Sequence, residues 1–446
     1  MEHGQLLLSK VLDENDTAAF KRHAIDKAHF PTEGERQAFE FIRSYAEQNR
    51  GQAPDYREVI AACPAFEYRP QVESSYEWLA KQLKSAANKR QIVELIGNGE
   101  TQRKLDELDG DQFIEYLQAQ IDDIKTDNAV RTKVGKNLKQ DSEMFIEEYR
   151  KRKAGESFKV WKSKFPGINR EIGGYYSGNT YTWHGRSGRG KSVFTMEEVI
   201  EAAFQGAKVL IWALEMSWFE WMARAYSSIS GRQGAMVATI DGVDYEVGFE
   251  NRSLLAGKLT DEFEEGFEKF LRELNDMIPG EITVRAVDDE DFNRRDVRQL
   301  EADIMQTDAD VVLVDAVYLL DFEANTSRVA GGDVANTSKK LRRLSGQTQT
   351  VIHLITQAEE IRDDTDEEGN RELKAPKRAE IKKTKAVLED AAAVFGIDTV
   401  DGRGVIEIGK SRSGGNDAVI EVLYLPNYGI VKELQIDEKL ANQFVF

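Results

Sequence analysis

Residues Tyr181-Thr182-Trp183-His184 lead directly into Gly185-Arg186-Ser187-Gly188-Arg189-Gly190-Lys191-Ser192, and a helical stretch from Val193 to Gln205 follows. The octet matches G-x-x-x-x-G-K-[ST] in full, in the strand–loop–helix setting that the pattern requires. Its glycines let the chain curl until backbone N–H groups converge on phosphate oxygens, and the helix adds the positive end of its dipole. Lys191 is placed to reach β and γ phosphates, and Ser192 to ligate Mg²⁺. A chance glycine-rich turn is the plain alternative. The flanking strand and helix argue against it.

Outward from this loop, short apolar runs alternate with helical stretches. The runs are Asn179–His184, Lys208–Leu214, Glu281–Ala286, Val311–Val314 and Thr350–Ile355. Such alternation predicts a parallel α/β sheet. Residues 394–400, 404–412 and 418–426 lack intervening helices and read as antiparallel additions.

A nucleotide site needs acids at the ends of neighbouring strands. Asp315 closes the apolar run Val311–Val314 and is the candidate second ligand for Mg²⁺. Glu215 ends the strand that follows the loop's helix, where ligands bind in parallel sheets. A carboxylate there can orient an attacking water or accept its proton. A surface carboxylate at a strand end is the bland alternative. Gln357 ends a further strand and is a candidate contact to the γ phosphate. Lys410 and Arg412 stand two residues apart at another strand end and project the same way. Arg412 would serve a neighbour's nucleotide as an arginine finger, if that face meets one.

The rest of the chain bounds the class. Its 446 residues suffice for two to three domains. The formal charge of −19 argues against a surface coated with positive charge for nucleic acid or membrane, though a local basic groove remains open. A single cysteine, Cys63, excludes an internal disulfide framework and any multi-thiolate zinc site. No apolar run nears the ~20 residues that span a bilayer. The first residues lack a basic leader, so neither signal peptide nor membrane contact is expected, and a cytoplasmic location is.

Residues 1–125 carry helical stripes, such as Ala38, Phe39, Ile42, Tyr45 and Ala46, or Tyr76, Leu79, Ala80 and Leu83. A third runs from Phe113 through Leu117 and Ile121 to Ile124. They predict an all-helical domain without chemistry of its own. A polar linker with one short helix, Asp141 to Lys153, occupies 126–158, and the α/β domain fills 159–446. Phe145 and Tyr149 share one face of that helix, which needs its own domain or a neighbouring subunit to cover it. The neighbour is the expected cover.

From Glu359 to Glu372 there are eight acids and two arginines, which read as a solvated loop. Lys374, Lys377, Arg378, Lys382, Lys383 and Lys385 follow, against the single acid Glu380. This basic half suits a phosphate backbone, each lysine contact releasing a counterion. A solvated face is the alternative.

In this order of motifs the chain resembles the replicative DNA helicase family of the DnaB type, of the bacteriophage kind, most clearly from Trp161 to Tyr424. The resemblance rests on the phosphate loop, Ala213-Leu214-Glu215-Met216, the strand ending in Asp315, and the helical stretch from Asp333 before the Gln357 strand. Ala386 to Ala391 and Gly409-Lys410-Ser411-Arg412-Ser413-Gly414 complete it. It implies a RecA-like ATPase domain, ATP and Mg²⁺ as cofactors, and a homo-hexameric ring with single-stranded DNA in its channel. It also implies 5′ to 3′ translocation and duplex unwinding, with primase or a helicase loader meeting the N-terminal domain. Lys382, Lys383 and Lys385 would be the DNA contacts, and Lys410 and Arg412 would reach the adjoining subunit's ATP. The chain departs from the family at Ser187 and Arg189 in the loop, and at Ala316-Val317-Tyr318, where Tyr-Leu-Gln is usual. Two other readings share the core: a RecA-type recombination or repair ATPase, and an ATP-switched replication adaptor without unwinding activity.

Overall fold

The computed structural model describes residues 3–128, 135–240, 242–325, 330–359, 371–381, 384–412, 414 and 417–434. Packing divides the chain into Met1–Glu143 and Met144–Phe446.

The first unit is helical, with its longer helices at His3–Glu14, Glu33–Gln48, Tyr76–Gly97 and Gly110–Asp127. Thr32 and Glu35 form a reciprocal capping box at the start of the second of these. Two of the predicted stripes face one core: Ala38, Phe39, Ile42 and Ala46 are buried, as are Leu79, Ala80 and Leu83. The third behaves differently. No described side chain of Gly110–Asp127 is buried, and Ile114 and Ile121 are exposed.

The second unit is built on one sheet. Its strands are Thr180–Gly185 (β1), Lys208–Ala213 (β2), Glu281–Ala286 (β3), Val311–Asp315 (β4), Val351–Gln357 (β5), Ala393–Val400 (β6), Arg403–Ser411 (β7), Val419–Leu425 (β8) and Ile430–Glu433 (β9). They lie in the order β9-β8-β7-β6-β1-β5-β4-β2-β3. Every pairing from β6 across to β3 is parallel. Those from β6 out to β9 are antiparallel. The first of the three expected antiparallel additions is therefore corrected: residues 394–400 run parallel to β1. The short helix Lys385–Asp390 returns the chain before β6, so β6 joins the sheet as a crossover strand and not as a hairpin arm.

The central strands are buried on both faces, which explains their unbroken apolar runs. Alternate residues feed two cores. Ile211 and Leu313 pack with Trp183, Phe194 and Phe395 on one side, while Trp212 and Val314 pack with Leu300, Leu341 and Leu354 on the other.

The helix after the glycine loop, Lys191–Phe204, carries two adjacent buried acids in opposite states. Burial alone would push Glu197 up, but Lys164 and Arg232 outweigh it and hold it ionised. Burial lifts Glu198 to about 8, and the Ser163 hydroxyl, which donates to it at 2.7 Å, opposes that only in part. Glu198 thus enters the fold protonated. Its folded value lies above that of the unfolded chain, so the folded state holds an extra proton between the two, and stability falls as pH rises through that interval. Glu198→Gln keeps a neutral amide there. Melting temperatures from about pH 5 to about pH 8 are expected to decline more steeply for the wild type than for this variant. Parallel curves would refute the assignment.

Candidate active site

The C-terminal ends of β1, β2, β4 and β5 lie side by side, and each delivers one predicted residue. Gly185 ends β1 opposite Gln357 of β5, and the amide of Ala358 donates to the Gly185 carbonyl at 3.0 Å. Ala213 of β2 stands opposite Asp315 of β4, and the Leu214 amide donates to the Asp315 carbonyl at 2.7 Å. Sheet register alone therefore gathers the loop, Glu215, Asp315 and Gln357 at one edge.

Within the loop, Gly188 and Gly190 take positive φ, +65° and +83°. A side chain at Gly190 would meet the Tyr424 hydroxyl at 2.6 Å, so glycine is required there for space as well as for backbone. Gly188 faces open space, and beside it Ser187 is exposed and Arg189 half-buried. Arg186 is buried and donates to Glu380 at 3.0 Å. The Lys191 ammonium donates to the Arg186 carbonyl at 2.8 Å. Burial pulls that ammonium below its ordinary value, while Glu215 and Asp315 pull the other way, which puts all three charges in one field.

Asp315 is almost wholly buried, and among the described residues neither of its carboxylate oxygens has a hydrogen-bond partner. Burial pushes it up to about 6, opposed by the Ser192 hydroxyl and reinforced by Glu215. A buried carboxyl with orphaned oxygens beside a hydroxyl is a costly arrangement unless a cation completes it. These residues fit a hard divalent ion held by one carboxylate, one hydroxyl and phosphate oxygens. They do not fit an all-protein cage: among the described residues no cluster of three or more His, Cys, Asp or Glu could hold a metal. Glu215 is exposed and accepts a hydrogen bond from the Tyr318 hydroxyl.

The two strand-end cations are engaged elsewhere. Lys410 donates to the carbonyls of Leu388, Glu389 and Ala391 at 3.1, 2.6 and 2.9 Å, and Arg412 donates to that of Asp390 at 3.0 Å. Both gather at the C-terminal end of Lys385–Asp390, where helix carbonyls attract cations. Lys385 opens that helix and is exposed. Lys382, Lys383 and most of the acidic stretch, 360–370, lie outside the described residues. Two contacts were missed from sequence, Arg186 with Glu380 and Tyr318 with Glu215. The only signal for the second was the departure from family usage at Tyr318.

A glycine loop on the central strand of a largely parallel sheet, with lysine, serine and strand-end acids around it, defines a P-loop nucleotide triphosphatase of RecA-like topology. A family model described as the DnaB-like helicase C terminal domain matches residues 161–429. The chain belongs to the DnaB-like helicase family. It is an ATP-dependent DNA helicase. A solved structure of a DnaB-like replicative helicase, determined with a view to its interactions with primase, superposes with a TM-score of 0.67 at 14% identity, covering 97% of this chain and 99% of that one. A second solved structure, an isolated ATPase domain, superposes with a TM-score of 0.51 at 15% identity, covering 67% of this chain and all of that one, 100%. A comparison with curated proteins finds no match. Among the described residues, no helix is long and apolar enough to cross a membrane.

Proposed function

We propose that this helicase acts as a closed homo-hexameric ring that threads single-stranded DNA and moves along it 5′ to 3′, each ATP lying between two subunits. The observation that carries this reading is an uncovered helix. Ser142–Ala154 buries no residue, and Phe145 and Tyr149 are 72% and 59% exposed. A helix with an apolar face left in water needs a partner surface, and a second copy supplies it. In the same reading residues 1–125 form the collar that meets primase or a loader, 126–158 the linker, and 159–446 the motor. It works in the bacterial cytoplasm or an infected host cell.

At the site, Gly185 to Ser192 wraps the phosphates and Lys191 neutralises charge developing on the β and γ groups. Ser192 and Asp315 would hold Mg²⁺, which would supply further charge neutralisation at the phosphates. Glu215 orients the attacking water and takes its proton. Gln357, bonded through its neighbour to the loop, touches the γ phosphate. Lys410 and Arg412 of the adjoining subunit complete the site in trans. Hydrolysis loosens that grip, and the basic loops carrying Lys382, Lys383 and Lys385 shift relative to one another with the strand.

The test is strand displacement on a forked duplex, with hydrolysis measured in parallel. Arg412→Ala is expected to lose about 1,000-fold in DNA-stimulated hydrolysis. Mixing it with Lys191→Ala should restore part of the activity, because some interfaces then pair an intact loop with an intact finger. Rings are expected by electron microscopy with a nonhydrolysable ATP analogue. A chain that stays monomeric at full hydrolytic rate, or an Arg412→Ala variant at wild-type rate, would overturn the reading.

A further inference from the structure

Glu215 presents a mechanical difficulty. Its backbone follows β2 directly and is pinned through Leu214 to Asp315, but its side chain is exposed. A glutamate in water has several rotors, and fixing them costs up to ~2 kcal/mol. A base that must meet one water in one orientation cannot be left to wander.

The chain supplies a restraint from the adjoining strand. Tyr318 lies in the single turn Val317–Leu319 just past Asp315, at the end of β4 next to β2. Its ring is half-buried and packs against the core that lies under the loop helix. Only the tip of this anchored ring reaches the site, and its hydroxyl donates to the Glu215 carboxylate. We propose that Tyr318 is a positioning residue, a rigid phenol donor that holds the Glu215 carboxylate over the site shared by Lys191 and Asp315. This rests on the role given to Glu215 above.

The chemistry of the hydroxyl is consistent with this. Burial, then the contact with Glu215, raises the Tyr318 hydroxyl above its ordinary value, so it remains a donor throughout the neutral range. The family's usual residue three places after the metal-site aspartate is glutamine, also a donor but a shorter and more flexible one.

Single-turnover ATP hydrolysis by the full chain on single-stranded DNA tests this, comparing Tyr318→Phe, Tyr318→Gln and Glu215→Gln. Tyr318→Phe keeps the ring and loses the donor. It is expected to slow hydrolysis by about 10- to 100-fold and to change ATP affinity by less than about twofold. Tyr318→Gln is expected to recover part of the rate without restoring the packing. A Tyr318→Phe variant with wild-type rate, beside an inactive Glu215→Gln, overturns this inference alone. Full activity in Glu215→Gln overturns the role of Glu215 and the inference with it. A loss confined to Tyr318→Gln, with a lowered melting temperature and Tyr318→Phe at wild-type rate, would reduce Tyr318 to packing.

Discussion

Replacing Lys191 with alanine is expected to abolish useful ATP turnover, lowering the rate by about 1,000-fold. The side chain is buried at the base of the loop, and its ammonium offsets Glu215 and Asp315 from within the same chain, with Arg224 also acting on Asp315. Without it, buried Asp315, exposed Glu215 and an incoming triphosphate would share one edge of the sheet, where like charges repel. The loop also loses the bond from Lys191 to the Arg186 carbonyl, so its closed shape is less well held. Nucleotide affinity should fall as well as rate. Binding of a fluorescent ATP analogue, measured beside single-turnover hydrolysis, separates the two effects. A variant that keeps more than about a tenth of the rate would refute the assignment of Lys191 to charge neutralisation in the transition state.

The largest effect on stability is expected at Trp183, two residues before the loop. The indole is fully buried and stacks on Phe395 of β6 with ring centroids 4.3 Å apart. Its Nε1–H donates to His353 Nδ1 of β5 at 3.0 Å. Burial holds His353 down at about 3, so the imidazole is neutral and its Nδ1 is free to accept. One side chain on β1 therefore fastens both of its neighbours, β5 and β6. Trp183→Ala opens a cavity and orphans a buried imidazole nitrogen, with an expected loss of about 3–5 kcal/mol. Trp183→Phe keeps most of the stack and loses the hydrogen bond, for about 1–2 kcal/mol. Urea unfolding followed through the transition of residues 144–446 gives both numbers. Equal losses in the two variants would mean that the hydrogen bond, and not the volume, dominates.

Sequence disclosed the parts of the site that depend on local pattern. The glycine loop, the acids Glu215 and Asp315, and Gln357 each sit where an apolar run stops, and runs buried on both faces are conspicuous. Their gathering at one edge followed from the parallel expectation, since register places parallel strand ends together. What sequence hid depends on sheet order. Nothing in residues 394–400 says that they pair beside β1 and run parallel to it, because that is decided by the crossover before them. The antiparallel hairpin of Met236–Ile240 with Val243–Val247 also went unpredicted, its exposed Val237 and Val243 giving no sign of a core. Tyr318 and Glu215 are far apart in the chain, and only the adjacency of β2 and β4 brings them into contact. Lys410 and Arg412 were expected to project together, and they do. Their occupation by helix carbonyls could not have been foreseen without knowing which helix ends beside β7.

The ion pair between Arg186 and Glu380 joins the glycine loop to the turn that precedes Lys385. An anion entering the loop competes with Glu380 for a guanidinium already spoken for. The loop and the turn Arg378–Glu380 are thus tied to each other inside one polypeptide, and in the function proposed above an arriving triphosphate would loosen that tie before any neighbour is involved.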